Sequence, residues 1–188
     1  FEASSNQYFA QMAVGLGKER IAETAGVLGI KAVDTPREAV LAGFYPEIWN
    51  TSNKRISSAL APQQSTIVPG KHISAYDVGL EGMGQGYAGQ MTPFQMALIV
   101  AAAGNLEGKL MKPKIELDQP PQMFSQVLTP QQANAVREIM ALVTEGSGGT
   151  ATRVFGNVRS LGIRVGGKTG TAEKQAPVYD ANGKLKTI

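Results

Sequence analysis

The stretch GGKTGTAE, residues 166–173, says more about this chain than any other part of its sequence. It sets a cation, Lys168, and two hydroxyl groups, on Thr169 and Thr171, in a backbone that glycine leaves nearly bare. We predict that residues 164–174 form a strand. A peptide can lie against such a strand while the cation and hydroxyls hold a carboxylate and a backbone N–H holds an oxyanion. The alternative is a glycine-rich edge strand with an incidental lysine.

A second polar cluster, Ser4-Ser5-Asn6, stands just before a predicted helix. The apolar residues of that helix recur at helical spacing: Phe9, Met12, Ala13 and Leu16. One interpretation makes Ser4 and Asn6 an N-cap, for which both residue types are preferred. The other makes Ser4 a proton relay and Asn6 a donor to a substrate amide. In that case Ser4 and Lys168 should lie on the order of hydrogen-bond distance apart, in one cleft with Asn6 and Thr171.

The composition narrows the class of protein. The 188 residues fit one domain or a large part of one, and a hydrophobic content of 43% is enough for an ordinary core. The net charge of +3 is scattered along the chain, which gives little support to nucleic-acid binding. The absence of cysteine excludes disulfides, zinc thiolate sites and a cysteine nucleophile. The longest apolar run, residues 96–103, is far shorter than the ~20 residues that a membrane-spanning helix needs.

Helices are predicted in the middle of the chain and strands at its end, which indicates an α+β fold. A short helix should run over residues 18–26 and bury Ile21 and Ala25. Further helices are predicted to begin where a Thr-Pro pair precedes Glu or Gln, a pattern typical of an N-terminal cap with proline in the first turn. These pairs are Thr35-Pro36, Thr92-Pro93 and Thr129-Pro130.

The helix after Thr92 is apolar on nearly every face, so we predict that it is the most buried helix of the chain. The helix after Thr129 should lie at the surface and expose Arg137 and Glu138. Its buried face is predicted to carry Val136, Ile139, Met140 and Val143. Near the end of the chain, Asn182-Gly183 predicts a hairpin turn between two strands.

Three patterns imitate other functional sites. Residues 162–169 match the P-loop pattern, but Gly170 follows where a P-loop requires the start of a helix. Residues 84–89 match G-x-G-x-x-G without a convincing strand before them, so a tight turn is the better interpretation. His72 is the one histidine, and with Asp77 it is a weak candidate for a Ser-His-Asp triad.

Five blocks together resemble one protein family. In chain order they are Ser4-x-Asn6, GQGY at 84–87, MTPFQMA at 91–97, GKLMKP at 108–113, and KTGT at 168–171. This arrangement resembles the transpeptidase domain of penicillin-binding proteins, whose motif set comprises Ser-x-x-Lys, a Ser-x-Asn motif and Lys-Thr-Gly. The three middle blocks are similar to the monofunctional class B type.

The resemblance implies an α+β fold of the penicillin-binding transpeptidase and serine β-lactamase type, with a five-stranded antiparallel sheet flanked by helices. It implies D,D-transpeptidation of peptidoglycan stem peptides through a serine acyl-enzyme, without metal or cofactor. By the same resemblance Ser4 is the proton shuttle, Asn6 positions the substrate and the base lysine, and Lys168 supplies the electrostatic field. Thr169, Gly170 and Thr171 bind the substrate, and the Thr171 amide forms half of the oxyanion hole.

The resemblance also implies partners and a location. The ligands would be stem peptides and β-lactam antibiotics, and a membrane glycosyltransferase is a further partner of this type of domain. The location would be the bacterial cell membrane, with the domain on the extracytoplasmic side. Three other functions stay open: a β-lactam sensor, a serine β-lactamase and a non-catalytic cell-wall scaffold. The resemblance does not decide between roles in elongation and in division.

The nucleophile motif is the one departure from the family. No Ser-x-x-Lys occurs in the chain, and the nearest forms are Thr51-x-x-Lys54 and Thr171-x-x-Lys174. In the family that motif precedes Ser-x-Asn, so we expect it before Phe1. The strands that follow Lys-Thr-Gly in the family are also expected beyond residue 188. Residues 1–188 are therefore predicted to be a partial transpeptidase domain; the alternative is a degenerate relative of the family.

Overall fold

A computed structural model describes residues 1–32, 66–67, 73–86, 89, 91–114, 117–171, 178–179 and 185–186. The predictions for the helix after Thr35 and for His72 lie outside these residues. The described helices are α1 Asn6–Leu16, α2 Lys18–Val27, α3 Ala75–Gly82, α4 Pro93–Gly104, α5 Pro130–Glu145 and the short α6 Thr152–Phe155. A 3-10 helix, Val158–Leu161, follows α6.

The described strands form three pairs. Strand β1 Lys31–Ala32 is parallel to β2 Thr66–Ile67, and β3 Lys109–Met111 is antiparallel to β4 Met123–Gln126. Strand β5 Val178–Tyr179 is antiparallel to β6 Leu185–Lys186, with Tyr179 opposite Leu185, as the predicted hairpin requires. The α+β class is confirmed, although these described pairs do not join into the single five-stranded sheet that the resemblance implies.

The starts of α4 and α5 follow from local hydrogen-bond chemistry, and both predictions are confirmed. The Thr92 hydroxyl accepts a hydrogen bond from the Gln95 amide at 3.1 Å. The Thr129 hydroxyl accepts one from the Gln132 amide at 3.2 Å, and the Gln132 side chain accepts one from the Thr129 amide at 2.9 Å. These bonds satisfy amide groups that a helix leaves without partners in its first turn.

Two small hydrophobic clusters, both touched by α4, make up much of the core. Leu98, Ala102 and Leu110 pack with Phe124 and Val127 between α4 and the β3–β4 pair. The second cluster joins the end of α2 to β1 and β2, and its members are Ala25, Ile30 and Ile67, with Ile21, Leu28 and Ile99 packed against them. The predicted helix over residues 18–26 and its inward residues are therefore confirmed.

The prediction that α4 is the most buried helix rests on burial of all its faces, and that premise is wrong. Phe94, Met96 and Val100 are 38%, 47% and 52% exposed, so one side of α4 is open. The helix packs against β3 and α5 on the other side. An apolar surface on every face favours burial, but it achieves burial only where other elements are placed to cover it.

The predicted buried face of helix α5 is confirmed only in part: Val143 is buried, whereas Val136 and Met140 are half-buried. Ala133, Ala141 and Val143 are buried, whereas Ile139 is 43% exposed. Alanines on the contact line let neighbouring elements approach closely, which leaves the larger side chains at the edges of the contact. Arg137, predicted to be exposed, is half-buried and donates a hydrogen bond to the Asn105 carbonyl at 3.1 Å.

Helix α1 lies directly on α3. A Cβ atom at Gly82 would overlap the Cβ of Ala13, so glycine is required for this close approach. The contact sets the start of α1 beside the turn that follows α3. No helix among the described residues is long and apolar enough to span a membrane.

Candidate active site

One pocket contains all six residues predicted to form the site. It is lined by Ser4, Asn6, Met83, Gln85, Lys168, Thr169, Gly170 and Thr171. The pocket lies where the start of α1, the turn after α3 and the Lys-Thr-Gly segment meet. Met83 and Gln85 are the lining residues that the sequence prediction of the site missed.

A hydrogen bond joins the side chains of Ser4 and Lys168 within the pocket. The Lys168 Nζ atom donates to Ser4 Oγ at 2.5 Å, which confirms the predicted proximity. The same ammonium donates to the Thr169 carbonyl at 2.7 Å and lies 5.8 Å from the centre of the Phe1 ring. A lysine has three N–H donors, so these two bonds leave one donor for a ligand.

The Ser4 hydroxyl is not used to cap α1, because the next residue in the chain is the cap. The N-cap of α1 is Ser5, whose hydroxyl accepts a hydrogen bond from the Tyr8 amide at 3.3 Å. The interpretation of Ser4 and Asn6 as the cap is therefore wrong. Ser4 instead takes a left-handed backbone conformation, with φ of 51°, that turns its side chain to Lys168. For a residue with a Cβ atom this conformation costs about 1 kcal/mol.

The predicted strand at 164–174 is also wrong for the residues that the structure describes, because residues 164–171 pair with no strand. Their backbone bonds to α5 instead. The Gly167 amide donates to the Met140 carbonyl at 3.1 Å, and the Thr144 hydroxyl donates to the Val165 carbonyl at 2.5 Å. A Cβ atom at Gly166 would lie 3.1 Å from the Cβ of Met140, so glycine allows the segment to lie close to the helix.

Arg164 ties the same segment to α5 through charge. Its guanidinium donates to both carboxylate oxygens of Glu138 at 2.8 Å and to Glu145 at 3.3 Å. The hydrogen bonds from Arg164 lower the pKa of Glu138, and the two carboxylates raise the pKa of Arg164. Bidentate arginine pairs of this kind restrict geometry as well as add energy, which suits a segment that must present Lys168.

The charge of Lys168 is not neutralised within the described part of the chain. The ion pairs found there involve Arg20, Lys109 and Arg164. An exposed ammonium beside two threonine hydroxyls can bind a carboxylate through charge-assisted hydrogen bonds. The pocket therefore suits an anionic ligand group. No cluster of three or more potential metal ligands occurs in the described ranges.

Gln85 lines the same pocket as Lys168. Its side-chain amide donates to the Thr171 carbonyl at 2.5 Å. Gly84 and Gly86 flank it with φ of 80° and 82°, a region that favours glycine. The G-x-G part of the pattern at 84–89 therefore forms a turn, as predicted, and the turn directs Gln85 into the pocket. Its place between two glycines was the sequence signal that could have revealed it.

The P-loop pattern does not form a phosphate site, and of the His72–Asp77 pattern the structure describes only Asp77. Residues 168–171 contain no helix, so the P-loop pattern lacks the helix N-terminus that binds phosphate. Asp77 accepts hydrogen bonds from Ser74, whose hydroxyl lies at 2.6 Å and whose amide lies at 3.3 Å. Ser74 is the N-cap of α3, its hydroxyl accepts a hydrogen bond from the Asp77 amide, and the Asp77 carboxylate completes the capping box.

Comparison with known proteins agrees with this geometry. The family model of the penicillin-binding protein transpeptidase domain matches residues 1–186. No curated protein matches the chain. The family match covers nearly the whole sequence, including the segments that meet in the pocket, and the chain therefore belongs to the penicillin-binding protein transpeptidase domain family.

Proposed function

We propose that this chain is part of a serine-type D,D-transpeptidase that crosslinks peptidoglycan stem peptides and is inhibited by β-lactams. Membership of the family supports transpeptidation of peptidoglycan and binding of β-lactams. The finer assignment is supported by one observation above all. Lys168 lies 2.5 Å from the Ser4 hydroxyl in a pocket that also contains Asn6, Thr169 and Thr171.

In the proposed reaction, a serine oxygen attacks the carbonyl carbon of the penultimate D-Ala. A C–O bond forms as the serine hydroxyl gives up its proton, the peptide C–N bond breaks, and the departing D-Ala amine takes up one proton, so the step releases no net proton. Ser4 is suited to deliver it, because Lys168 donates to Ser4 Oγ and leaves the Ser4 proton available. The Thr171 amide stabilises the oxyanion, and the Asn6 side chain orients the substrate amide. Lys168 and Thr169 bind the terminal carboxylate.

The nucleophile is the part that this chain does not supply. Its 188 residues contain no Ser-x-x-Lys, so we propose that the nucleophilic serine belongs to a segment that precedes Phe1. We further propose that the whole protein is held at the bacterial cell membrane with this domain on the extracytoplasmic side, where its substrate lies. A membrane glycosyltransferase is the partner that would supply glycan strands. These proposals rest on the family and its motif order.

Covalent labelling by a fluorescent penicillin tests the proposal. The protein that carries this chain together with the Ser-x-x-Lys segment should be labelled. Lys168→Ala should slow acylation by about 10- to 100-fold, because a hydrogen bond to a charged group contributes roughly 1.5–3 kcal/mol. Lys114→Ala is the matched control. Lys114 donates to the carbonyls of Leu117 and Gln119 and does not line the pocket, so its loss should leave acylation unchanged.

Mass spectrometry of the labelled peptide locates the nucleophile. We expect the adduct on a serine before Phe1, and an adduct on any residue of 1–188 would contradict the proposed roles. Rapid release of the label would favour the serine β-lactamase over the transpeptidase. Failure of the complete protein to be labelled would favour the non-catalytic scaffold.

A further inference from the structure

A loop between α5 and α6, residues 146–150, lies against the carboxylate-binding end of the pocket. The Thr150 Oγ1 atom is 2.8 Å from Thr169 Oγ1, a distance at which one hydroxyl donates to the other. Thr150 itself does not line the pocket. Because Thr150 contacts the Thr169 hydroxyl and is not a lining residue, we expect it to act on a ligand through Thr169.

The loop is held in place by Glu2, two residues before Ser4. The Glu2 carboxylate accepts a hydrogen bond from the Gly148 amide at 2.9 Å, and its backbone carbonyl accepts one from the Thr150 amide at 3.4 Å. A Cβ atom at Gly146 would overlap the Glu2 carboxylate, so glycine leaves the room that this contact needs. The segment that carries Glu2 and Ser4 therefore also holds the loop that carries Thr150 in place.

The other side of the loop is anchored to α5. The Ala151 amide donates to the Val143 carbonyl at 2.9 Å, and the Thr152 hydroxyl donates to the Gly146 carbonyl at 2.7 Å. Thr150 is thus held by backbone bonds on both sides, to Glu2 and to α5. A side chain with a fixed backbone loses little further entropy when its hydroxyl orients a neighbour.

The number of protons on the two hydroxyls decides the direction of the bond when a carboxylate is bound. Each threonine hydroxyl has one proton, whereas a carboxylate only accepts. If Thr169 donates to the ligand carboxylate, it has no proton left for Thr150, so Thr150 must donate to Thr169. Hydrogen bonds arranged in such a chain polarise and strengthen one another.

We propose that Thr150 is a positioning residue for the carboxylate end of the pocket. Its hydroxyl donates to Thr169 and thereby keeps the Thr169 proton directed at the terminal carboxylate of the substrate. This inference rests on the proposed function, in which Thr169 binds that carboxylate. The competing explanation is that Thr150 only anchors the loop, in which case its loss would lower stability without changing the choice of ligand.

The test compares two ligands that differ at the proposed contact: N-acetyl-D-Ala-D-Ala with a free carboxylate and the same peptide as a C-terminal amide. NMR titration of the protein measures both affinities. Thr150→Val should reduce the preference for the acid by about three- to tenfold, the range for one hydrogen bond. Thr150→Ser retains the hydroxyl and should retain the preference. Thr150→Ala replaces the valine variant if that variant does not fold.

Two controls separate positioning from anchoring. Thr152→Val removes a different hydroxyl of the same region. Among the contacts described, that hydroxyl bonds only to the Gly146 carbonyl, so its loss should leave the preference for the acid unchanged. Thr169→Val should reduce the preference, and adding Thr150→Val to it should cause no further reduction, because Thr150 acts through the Thr169 hydroxyl. Additive losses in the double variant would overturn the inference.

The possible failures are distinguishable. If the unchanged protein prefers the acid and Thr150→Val keeps the full preference, the inference is wrong and the proposed function stands. If the unchanged protein does not prefer the acid, the proposed carboxylate site is wrong, and with it the role of Thr150 in ligand choice. Three-bond scalar couplings that report the χ1 angle of Thr169 can then be measured in the protein without ligand. Averaging of this χ1 angle in Thr150→Val would support the inference that Thr150 orients Thr169. An unchanged χ1 angle would reject it.

Discussion

Ser4 and Ser5 are neighbours of the same type with different tasks. Ser5 caps α1 through the Tyr8 amide, whereas Ser4 accepts a hydrogen bond from Lys168. The backbone of Ser4 has a positive φ of 51°, which is uncommon for a residue other than glycine. Residues in such conformations are concentrated at functional sites, where the surrounding structure holds them. The strain at Ser4 therefore accords with its position in the pocket.

Substituting Ser4 and Ser5 one at a time should separate an effect on stability from an effect on penicillin labelling. Ser5→Ala should lower the free energy of unfolding by about 1 kcal/mol, because it removes an N-cap. Ser4→Gly should not lower it, because glycine relieves the positive φ at no steric cost. Chemical denaturation measures both values, and penicillin labelling of the complete protein should fall for Ser4→Gly alone. A larger loss of stability in Ser4→Gly than in Ser5→Ala would contradict this account.

For helix α4 the sequence predicted correctly where the helix begins, but not which of its faces is buried. Its start at Thr92-Pro93 depends on groups within one turn, and that prediction is confirmed. Its covered face depends on distant parts of the chain. Gln95 is fully buried and donates to the Leu28 carbonyl at 2.8 Å, while the apolar Met96 next to it remains exposed. Hydrophobicity alone would have assigned these two positions the other way round.

A pair of substitutions in α4 tests this orientation. Leu98→Asp should prevent folding or lower the melting temperature severely, because a carboxylate without a partner in the cluster of Ala102 and Leu110 costs several kcal/mol. Met96→Asp places the same charge on the exposed side and should change the melting temperature little. Thermal unfolding followed by circular dichroism gives both results. Equal destabilisation by the two variants would show that both faces are covered.

Contacts over long sequence separations assemble the molecule around the pocket. The Ser4–Lys168 bond joins residues 164 positions apart, and the Gln85–Thr171 bond joins residues 86 positions apart. Helix α5 holds the segment that carries Lys168, and Arg164 supplies the charged part of that attachment through Glu138 and Glu145. The geometry of the pocket therefore depends on an ion pair outside it.

The attachment by Arg164 should depend on pH in a defined direction. The pKa of Glu138 is lowered from 4.5 in the folded chain, so its ionised form is favoured by folding. The resulting stability is present above about pH 4.5 and is lost as the pH falls through the lower pKa of the folded state. Glu138→Gln should therefore reduce stability at neutral pH and converge with the unchanged protein in acid. Urea denaturation between about pH 3 and 7 measures the difference.

Glu107→Gln is the matched control for Glu138→Gln. Lys109 likewise lowers the pKa of Glu107, so this variant should show the same direction of pH dependence. The Glu107–Lys109 pair is local to the start of β3 and does not touch the Lys168 segment. Slower penicillin acylation is therefore expected for Glu138→Gln and not for Glu107→Gln. Equal acylation in both variants would show that the Arg164 attachment does not govern the pocket.

The amino-acid sequence was sufficient for most features that depend on groups close together in the chain, although it did not identify Ser5 as the cap of α1. The caps at Thr92 and Thr129, the strands around Asn182-Gly183 and the residue types of the site were all predicted from short patterns. Each pattern reports hydrogen bonds or side-chain chemistry within a few residues, where the geometry of the backbone leaves few alternatives.

Packing between distant elements settled the rest. It brought Ser4 to Lys168, attached residues 164–171 to α5 rather than to a strand, and left one face of α4 open. It also brought Gln85 and Thr150 to the Lys-Thr-Gly segment. Short patterns do not predict such contacts, because a glycine-rich backbone or an apolar helix can satisfy its bonds against several kinds of neighbour. Which neighbour such a segment packs against depends on the free energy of the whole folded chain.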